Sequence, residues 1–344
     1  GANTYWGMFG STNITLQDIL ANRTHSLLLT KNGDARYYDY TYIDRSRRWG
    51  FALGASHTQF PMYYFLYSID GHQPRYPSPD GNINQFTLNG TWMRESSLMA
   101  YAQYPFSKWD RIELGIRPRR RTYLLSYQLT PDTPTDTIAP SDLQYYDFFQ
   151  HSSGQTNLGL TAAFVHDTVL SSNRTFGPMH GNALYAHVEY GPPLDAKSAS
   201  YLSAQLDARK YISLTGSSLF AVRVAGLASS RPNGDFMLLG GSDSLRNYPY
   251  FSVAGNQVGY GSAELRLPVA AVVLFGSMPL HVRAVAFGDY AVVRFSDDRF
   301  PAHREWSYGF GLQTHFLLPL NFEWARTKFN PERWTFNFRV GFNF

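Results

Sequence analysis

The clearest pattern along the chain is the alternation of its last eleven residues, WTFNFRVGFNF. Large apolar side chains occupy every second position from Trp334 to Phe344, and Thr, Asn, Arg and Gly fill the positions between them. Successive side chains of a β-strand point to opposite sides, so a period of two residues predicts a strand with one wholly apolar face.

The same alternation recurs along the chain, and no segment shows a helical stripe of comparable length. The copies are YDYTY (38–42), WGFALGAS (49–56), QFTLNGTW (85–92), RIELGI (111–116), SAELRL (262–267) and VRAVAFGDYAV (282–292). Apolar faces pointing inward on so many strands would need an enormous core. Alternating segments of about ten residues, rich in Tyr, Phe and Trp, are typical of a transmembrane barrel. Only a closed sheet satisfies all its backbone hydrogen bonds in lipid.

The connections between these segments also alternate in length. YPFSKWD (104–110) and LPLN (318–321) are tight, whereas SIDGHQPRYPSPDGN (68–82) and TPDTPTDTIAPSDLQ (130–144) are long and polar. Outer-membrane barrels combine short periplasmic turns with long outer loops. We therefore predict an all-β chain that forms a transmembrane antiparallel β-barrel, with residues 1–344 as a single domain. A soluble all-β protein is the alternative.

Composition agrees with a membrane location and argues against several other classes. Charged residues make up only 16% of the chain and aromatic residues another 16%, whereas a soluble surface usually carries more charge. The best apolar run, at 267–280, is shorter than a membrane-spanning helix and contains two prolines. The net charge of +4 and the single basic run RPRRR (117–121) give little support for nucleic-acid binding.

The sequence also lacks the patterns of common catalytic sites. It contains no cysteine, which excludes disulfides, thiolate metal sites and a cysteine nucleophile. Neither a Gly-x-Ser-x-Gly elbow, a His-Glu-x-x-His zinc motif nor a phosphate-binding glycine loop is present. We predict that the protein is not an enzyme, and we expect no catalytic residues, metal or other cofactor.

One loop, LGGSDSLRNYPYFSVAGNQ (239–257), carries a single arginine, Arg246. An isolated loop arginine is by default solvated. Here, however, Glu264 and Asp289 lie on the polar faces of the two predicted strands that follow. A guanidinium fork between two carboxylates forms strong, directional bonds, and it is stable in a buried place only when the charges are paired. The pattern therefore predicts that Arg246 is held inside the barrel.

These residues carry a resemblance to a known family. The order GGSDSLRNY, then a strand ending ELRLPV, then AFGDYAVV and a closing strand rich in Phe resembles the BamA-like barrels of the Omp85 superfamily. That family's loop-six signature is Val/Leu-Arg-Gly-Tyr/Phe after a glycine pair. The matching positions are Gly240, Gly241, Leu245, Arg246 and Tyr248, with Glu264 and Asp289 as the partner acids.

The likeness extends over at least residues 160–344, where FGPMHG (176–181) and LDARKY (206–211) also resemble family segments. The first 160 residues resemble the family only in alternation and turn pattern. Asn247 is a departure, because the family usually has Gly there; Asn is the non-Gly residue that most readily adopts a positive φ, so the turn is expected to survive.

The resemblance implies sixteen strands, an inward-folded loop six and a location in the bacterial outer membrane. It also implies assembly or translocation of proteins without ATP, through a seam between a first strand around Thr12 to Asp18 and a last strand from Trp334 to Phe344. The residues assigned to the closing strand are Phe336, Phe338, Val340, Gly341, Phe342 and Phe344.

The partners implied are membrane lipid, an unfolded or secreted protein substrate, and accessory lipoproteins or periplasmic subunits, with no nucleic acid. A periplasmic domain, either POTRA repeats or a propeller, is expected before the barrel. Two alternatives stay open at this point: a passive pore or dedicated secretion channel plugged by loop six, and a barrel that anchors a periplasmic domain.

Overall fold

A computed structural model describes most of the chain. The described residues are 2–3, 7–32, 35–61, 92–124, 154–172, 177–196, 198–215, 218–231, 235–241, 244–248, 253–274, 278–296, 302–315, 319–328 and 330–340. Both long loops predicted at 68–82 and 130–144 lie outside these residues, as do Gly341, Phe342 and Phe344 of the predicted closing strand.

The described residues form β-strands and connections. The strands are β1 Ala2–Asn3, β2 Gly7–Gln17, β3 Arg23–Asn32, β4 Ala35–Asp44, β5 Gly50–Pro61, β6 Trp92–Pro105, β7 Asp110–Leu124, β8 Gln155–Asp167, β9 Leu170–Ser172, β10 Gly177–Gly191, β11 Tyr201–Ser213, β12 Leu219–Ser229, β13 Met237–Leu239, β14 Val253–Gly255, β15 Gln257–Leu274, β16 Met278–Arg294, β17 His303–His315, β18 Pro319–Thr327 and β19 Asn330–Val340. In this part of the chain no helix is long and apolar enough to cross a membrane.

All the strands except β13 and β14 form one antiparallel sheet, in which each long strand pairs with the next long strand along the chain. The sheet has seventeen strands among the described residues, and two of them, β1 and β9, are only two and three residues long. The described part of the sheet thus has seventeen strands with these two short segments and fifteen without them, against the sixteen expected. The consecutive strand pairs begin with β2 and end with β19.

Most strand boundaries follow the alternation in the sequence. The tight turn predicted at 104–110 separates β6 from β7. The turn predicted at 318–321 is wrong by two to three residues, because β18 begins at Pro319 and includes Asn321. The first strand starts earlier than expected: β2 begins at Gly7 and ends at Gln17, which leaves Asp18 in the following turn.

The sheet is apolar outside and polar inside. Phe310 is 52% exposed and Phe336 is 56% exposed, whereas Glu264, Arg266 and Glu323 on the opposite face are each 1% exposed. A soluble protein distributes these residue types the other way. This inverted pattern confirms the prediction of a transmembrane antiparallel β-barrel, whose outer wall faces hydrocarbon and whose interior holds the charges.

Residues 230–256, here called loop six, connect β12 to β15, and the described part of this loop folds inward. The short strands β13 and β14 pair with each other in the loop. Leu239, Leu245 and Tyr248 of the loop are buried against the inner wall, in a cluster that includes Val258 and Val293. The apolar side chains of the loop thus form a buried cluster together with apolar residues of the inner wall.

Glycine is required where β17 approaches β18, and Gly309 is an example. Gly309 pairs with Ala325, and a Cβ added there would lie 2.8 Å from Phe287 Cζ and closer still to the Trp324 carbonyl oxygen. The neighbouring strand offers a contrast, because a Cβ at Gly288 of β16 would meet nothing within 4 Å.

We expect Gly309→Ala to destabilise the barrel by about 1–3 kcal/mol, because the added methyl group forces β17 and β18 apart. The change is measured as a lower temperature for the unfolding-dependent mobility shift in gel electrophoresis. Gly288→Ala is the matched control and should leave that temperature unchanged. Equal transition temperatures for the two variants would contradict the close approach.

Candidate functional site in the barrel interior

The tip of loop six is a compact turn that presents Arg246 to the inner wall. Gly240 and Gly241 both have positive φ, at 109° and 87°, and Asn247 has φ 63°. The Gly241 amide donates a hydrogen bond to the Tyr248 carbonyl at 3.0 Å, which closes the turn. Leu245 is fully buried beneath it. The Asn at position 247 therefore adopts the left-handed conformation expected of the glycine it replaces.

Arg246 makes a bidentate ion pair with Asp289 of β16. Its Nε donates to Asp289 Oδ2 at 2.8 Å and its Nη2 donates to Asp289 Oδ1 at 2.6 Å. The Arg246 backbone amide also donates to Oδ2, at 3.2 Å. The remaining nitrogen, Nη1, donates to Glu264 Oε1 of β15. The guanidinium carbon lies 3.7 Å from the centre of the Phe287 ring, in a cation–π contact.

The two carboxylates have further donors around them. Ser262 Oγ donates to Asp289 Oδ1 at 2.7 Å, and Ser307 Oγ of β17 donates to Oδ2 at 2.9 Å. Arg266 Nε donates to Glu264 Oε2 at 2.6 Å. Because buried charges are costly unless paired and hydrogen-bonded, this complete set of partners is what permits the group to sit in the barrel wall. We call Arg246, Glu264 and Asp289 the tip cluster.

Tyr248 extends the attachment of the loop to β17. Its hydroxyl donates to Glu305 Oε2 at 3.0 Å, and the Trp306 carbonyl oxygen lies 3.1 Å away. Glu305 also accepts from Lys328 Nζ at 3.1 Å. The loop tip is therefore bonded to three successive strands, β15, β16 and β17.

A second charged cluster holds the base of loop six and was missed by the sequence reasoning. Asp235 pairs with Arg119 of β7 and accepts a 3.1 Å hydrogen bond from Arg117 Nη2. Arg117 and Arg119 also approach Glu189 of β10, at 2.7 and 3.7 Å. We call this group, with Arg121 and its partner Glu95, the base cluster.

The signal for the base cluster was present in RPRRR (117–121). Three arginines at alternate positions of a strand share one face, and that face is opposite the exposed Leu114 and Ile116. The run is therefore a stripe inside the barrel rather than a basic surface. Burial alone would raise the pKa of Asp235, but the guanidiniums of Arg119, Arg117 and Arg121 outweigh it and hold that pKa below its usual range.

The described part of the closing strand β19 has the expected faces. Phe336 and Phe338 are 56% and 51% exposed and point outward, with Thr335 and Asn337 on the inner face. The backbone of Val340 ends the strand. Among the described residues no three His, Cys, Asp or Glu side chains converge as metal ligands.

Comparisons with known proteins agree with this architecture. The family model of the Omp85 superfamily domain matches residues 22–344. BamA from Haemophilus ducreyi, in a structure lacking POTRA domains 1–3, is similar with a TM-score of 0.65 and 14% identity, over 98% of this chain and 68% of that one. CdiB from Escherichia coli has a TM-score of 0.63 and 12% identity over 99% of this chain. CdiB from Acinetobacter baumannii has 0.56 and 14% over 98%.

The chain spans 59% and 57% of the lengths of the two CdiB chains. No curated protein matches it. At these identities the structural likeness establishes a shared fold.

We expect Arg246→Ala to destabilise the barrel by about 3–5 kcal/mol, because it leaves Glu264 and Asp289 without their shared cation. The readouts are the heat-dependent mobility shift and protease cleavage within residues 230–256. Arg231→Ala, at an exposed arginine of the same loop, is the control and should change neither. An Arg246→Ala protein with unaltered transition temperature and unaltered loop cleavage would remove the structural role assigned to the pair.

We expect Asp235→Asn to loosen the base of loop six, with a smaller loss of about 1–3 kcal/mol, because Asp235 is still 22% exposed. Cleavage near residue 235 should become faster while the tip stays protected. Glu332→Gln, at an exposed acid of β19, is the comparison. If cleavage at the base were the same in both variants, the base cluster would not restrain the loop.

Proposed function

The chain belongs to the Omp85 superfamily, a family of bacterial outer-membrane assembly and translocation barrels, and from this premise we propose that it inserts or translocates protein substrates through a seam between its first and last strands, without ATP. The observation that carries the proposal is the pairing order of the sheet. Its consecutive strand pairs begin with β2 and end with β19, so the first and last long strands are the two that we propose meet at the seam.

When the seam opens, each of its two strands becomes a template for another strand. The backbone N–H and C=O groups along the opened edge are then free to pair, and strand addition uses these groups irrespective of the partner's sequence. A substrate strand that pairs there satisfies its own backbone before it meets hydrocarbon, where an unpaired group costs several kcal/mol. The energy for insertion then comes from backbone pairing and burial in lipid, so no nucleotide is needed.

The tip cluster holds together the strands of the barrel wall that lie near the seam. Arg246 joins β15 and β16 through charged hydrogen bonds, and Tyr248 joins β17. We propose that these contacts keep this side of the barrel rigid while β19 moves. The partners proposed are an unfolded or secreted protein, membrane lipid, and accessory lipoproteins or periplasmic subunits. The periplasmic domain expected upstream remains a prediction.

A channel plugged by loop six is the second candidate, and the position of the loop favours it. The loop lies in the barrel interior and is fastened by charged clusters at its tip and at its base. A simple anchoring role for the barrel is supported by no specific contact among the described residues.

Cross-linking to a stalled substrate tests the seam. Because the chain has no cysteine, Phe338→Cys and Phe310→Cys create single thiols with nearly equal outward exposure, 51% on β19 and 52% on β17. An unfolded barrel protein with cysteines in its last strand should form a disulfide with position 338 and not with position 310, in liposomes without nucleotide. Equal cross-linking at the two positions, or a requirement for ATP, would contradict the proposal.

Deletion of residues 240–254 separates the two candidates. A channel plugged by loop six should be closed with the loop in place and should conduct steadily in single-channel recordings once the loop is deleted. The assembly barrel should instead lose substrate insertion on deletion, because the wall beside the seam then loses its bonds to Arg246 and Tyr248.

A further inference from the structure

Asn247 makes a contact that a glycine at the same position could not make. Its Nδ2 donates to the backbone carbonyl of Thr335 at 2.8 Å and to Thr335 Oγ1 at 2.9 Å. A carbonyl oxygen only accepts, so the atom facing it must be the amide nitrogen. Among the described residues no donor reaches the Asn247 Oδ1, so the amide holds its partner through its nitrogen alone.

Thr335 lies at an irregular point of the closing strand β19. The register between β18 and β19 is regular from Leu320↔Val340 to Ala325↔Thr335 and then shifts before Thr327↔Asn330. The Thr335 hydroxyl donates to the Ala325 carbonyl at 3.0 Å, next to this shift. The Asn247 amide therefore adds hydrogen bonds at the position where regular pairing between the last two strands ends.

The contact links the closing strand to the rigid wall through a short piece of backbone. Arg246, the adjacent residue, is held by Asp289 of β16, whereas Thr335 is on β19, three strands further along the sheet. A displacement of β19 at Thr335 must either break the bonds from Asn247 or pull on the turn that carries Arg246. The left-handed backbone at Asn247, with φ 63°, points the amide across this gap and is a conformation that Asn tolerates.

We propose that Asn247 is a positioning residue that latches the closing strand to loop six, so that the opening of β19 toward a substrate strand requires release of this amide from Thr335. The inference rests on the proposed seam, and it assigns to this chain a restraint that the glycine of the family signature lacks. The latch sets how often β19 is free to pair with a substrate, while the tip cluster keeps the rest of the loop in place.

Hydrogen–deuterium exchange of the β19 amides tests the latch without any substrate. Asn247→Gly keeps the positive φ and removes the side chain. Asn247→Asp keeps the side-chain shape and replaces the donating nitrogen with an oxygen that repels the Thr335 carbonyl. Loss of two neutral hydrogen bonds should speed exchange around Thr335 about tenfold in both variants, and exchange in β15 and β16 should stay unchanged. Agreement between the variants excludes an effect of glycine flexibility.

The latch would be overturned by unchanged exchange in β19, or by an equal increase in β16, which would mean that the whole loop had loosened. The Phe338→Cys cross-link in the Asn247→Gly background then separates the two proposals. Faster exchange with a stronger cross-link supports both. Faster exchange with no cross-link in any background supports the latch and contradicts the seam.

Discussion

The pairing of Arg246 with Asp289 and Glu264 is the interaction on which the interior of this barrel depends. A barrel wall apolar toward lipid must place its polar side chains inward, and the described interior contains many ionisable groups, among them the fully buried Arg246, Arg266, Glu189, Glu264 and Glu323. Such charges are tolerable only with partners at hydrogen-bonding distance. The loop supplies a cation shared by two wall carboxylates, and the wall in turn fixes the conformation of the loop.

This exchange explains why loop six has both charged and apolar contacts. The ion pairs fix the orientation of the loop tip, because a guanidinium donates two parallel hydrogen bonds only to a carboxylate that lies in one arrangement. Leu239, Leu245 and Val253 bury apolar surface beneath the ion pairs and exclude water. Exclusion of water strengthens the electrostatic bonds above. Neither set of contacts alone would hold a loop of this length against the conformational entropy of its ordering.

Much of the fold could be predicted from the sequence, since alternation with a period of two fixes which residues share a face. That pattern placed Glu264 and Asp289 on the inner wall and Phe336 and Phe338 on the outer wall, as the structure has them. It could not show which inner residues meet across the barrel. The contacts of Asp235 with Arg117 and Arg119 join positions more than one hundred residues apart, and they depend on the path of the loop. Strand ends such as Pro319 were missed because pairing with a neighbour overrides local turn propensity.

The attachment of loop six at both ends has a geometric consequence. Ten residues separate Asp235 and Arg246 in the sequence. Because Asp235 is bound to β7 and Arg246 to β15 and β16, this segment fixes the distance between two separate parts of the barrel wall. Residues inserted in this segment would let Asp235 and Arg246 bind independently of each other. Residues deleted from it would distort the barrel wall or break one of the two ion pairs. Natural variation in loop length should therefore be confined to the segments before the first anchor and after the second.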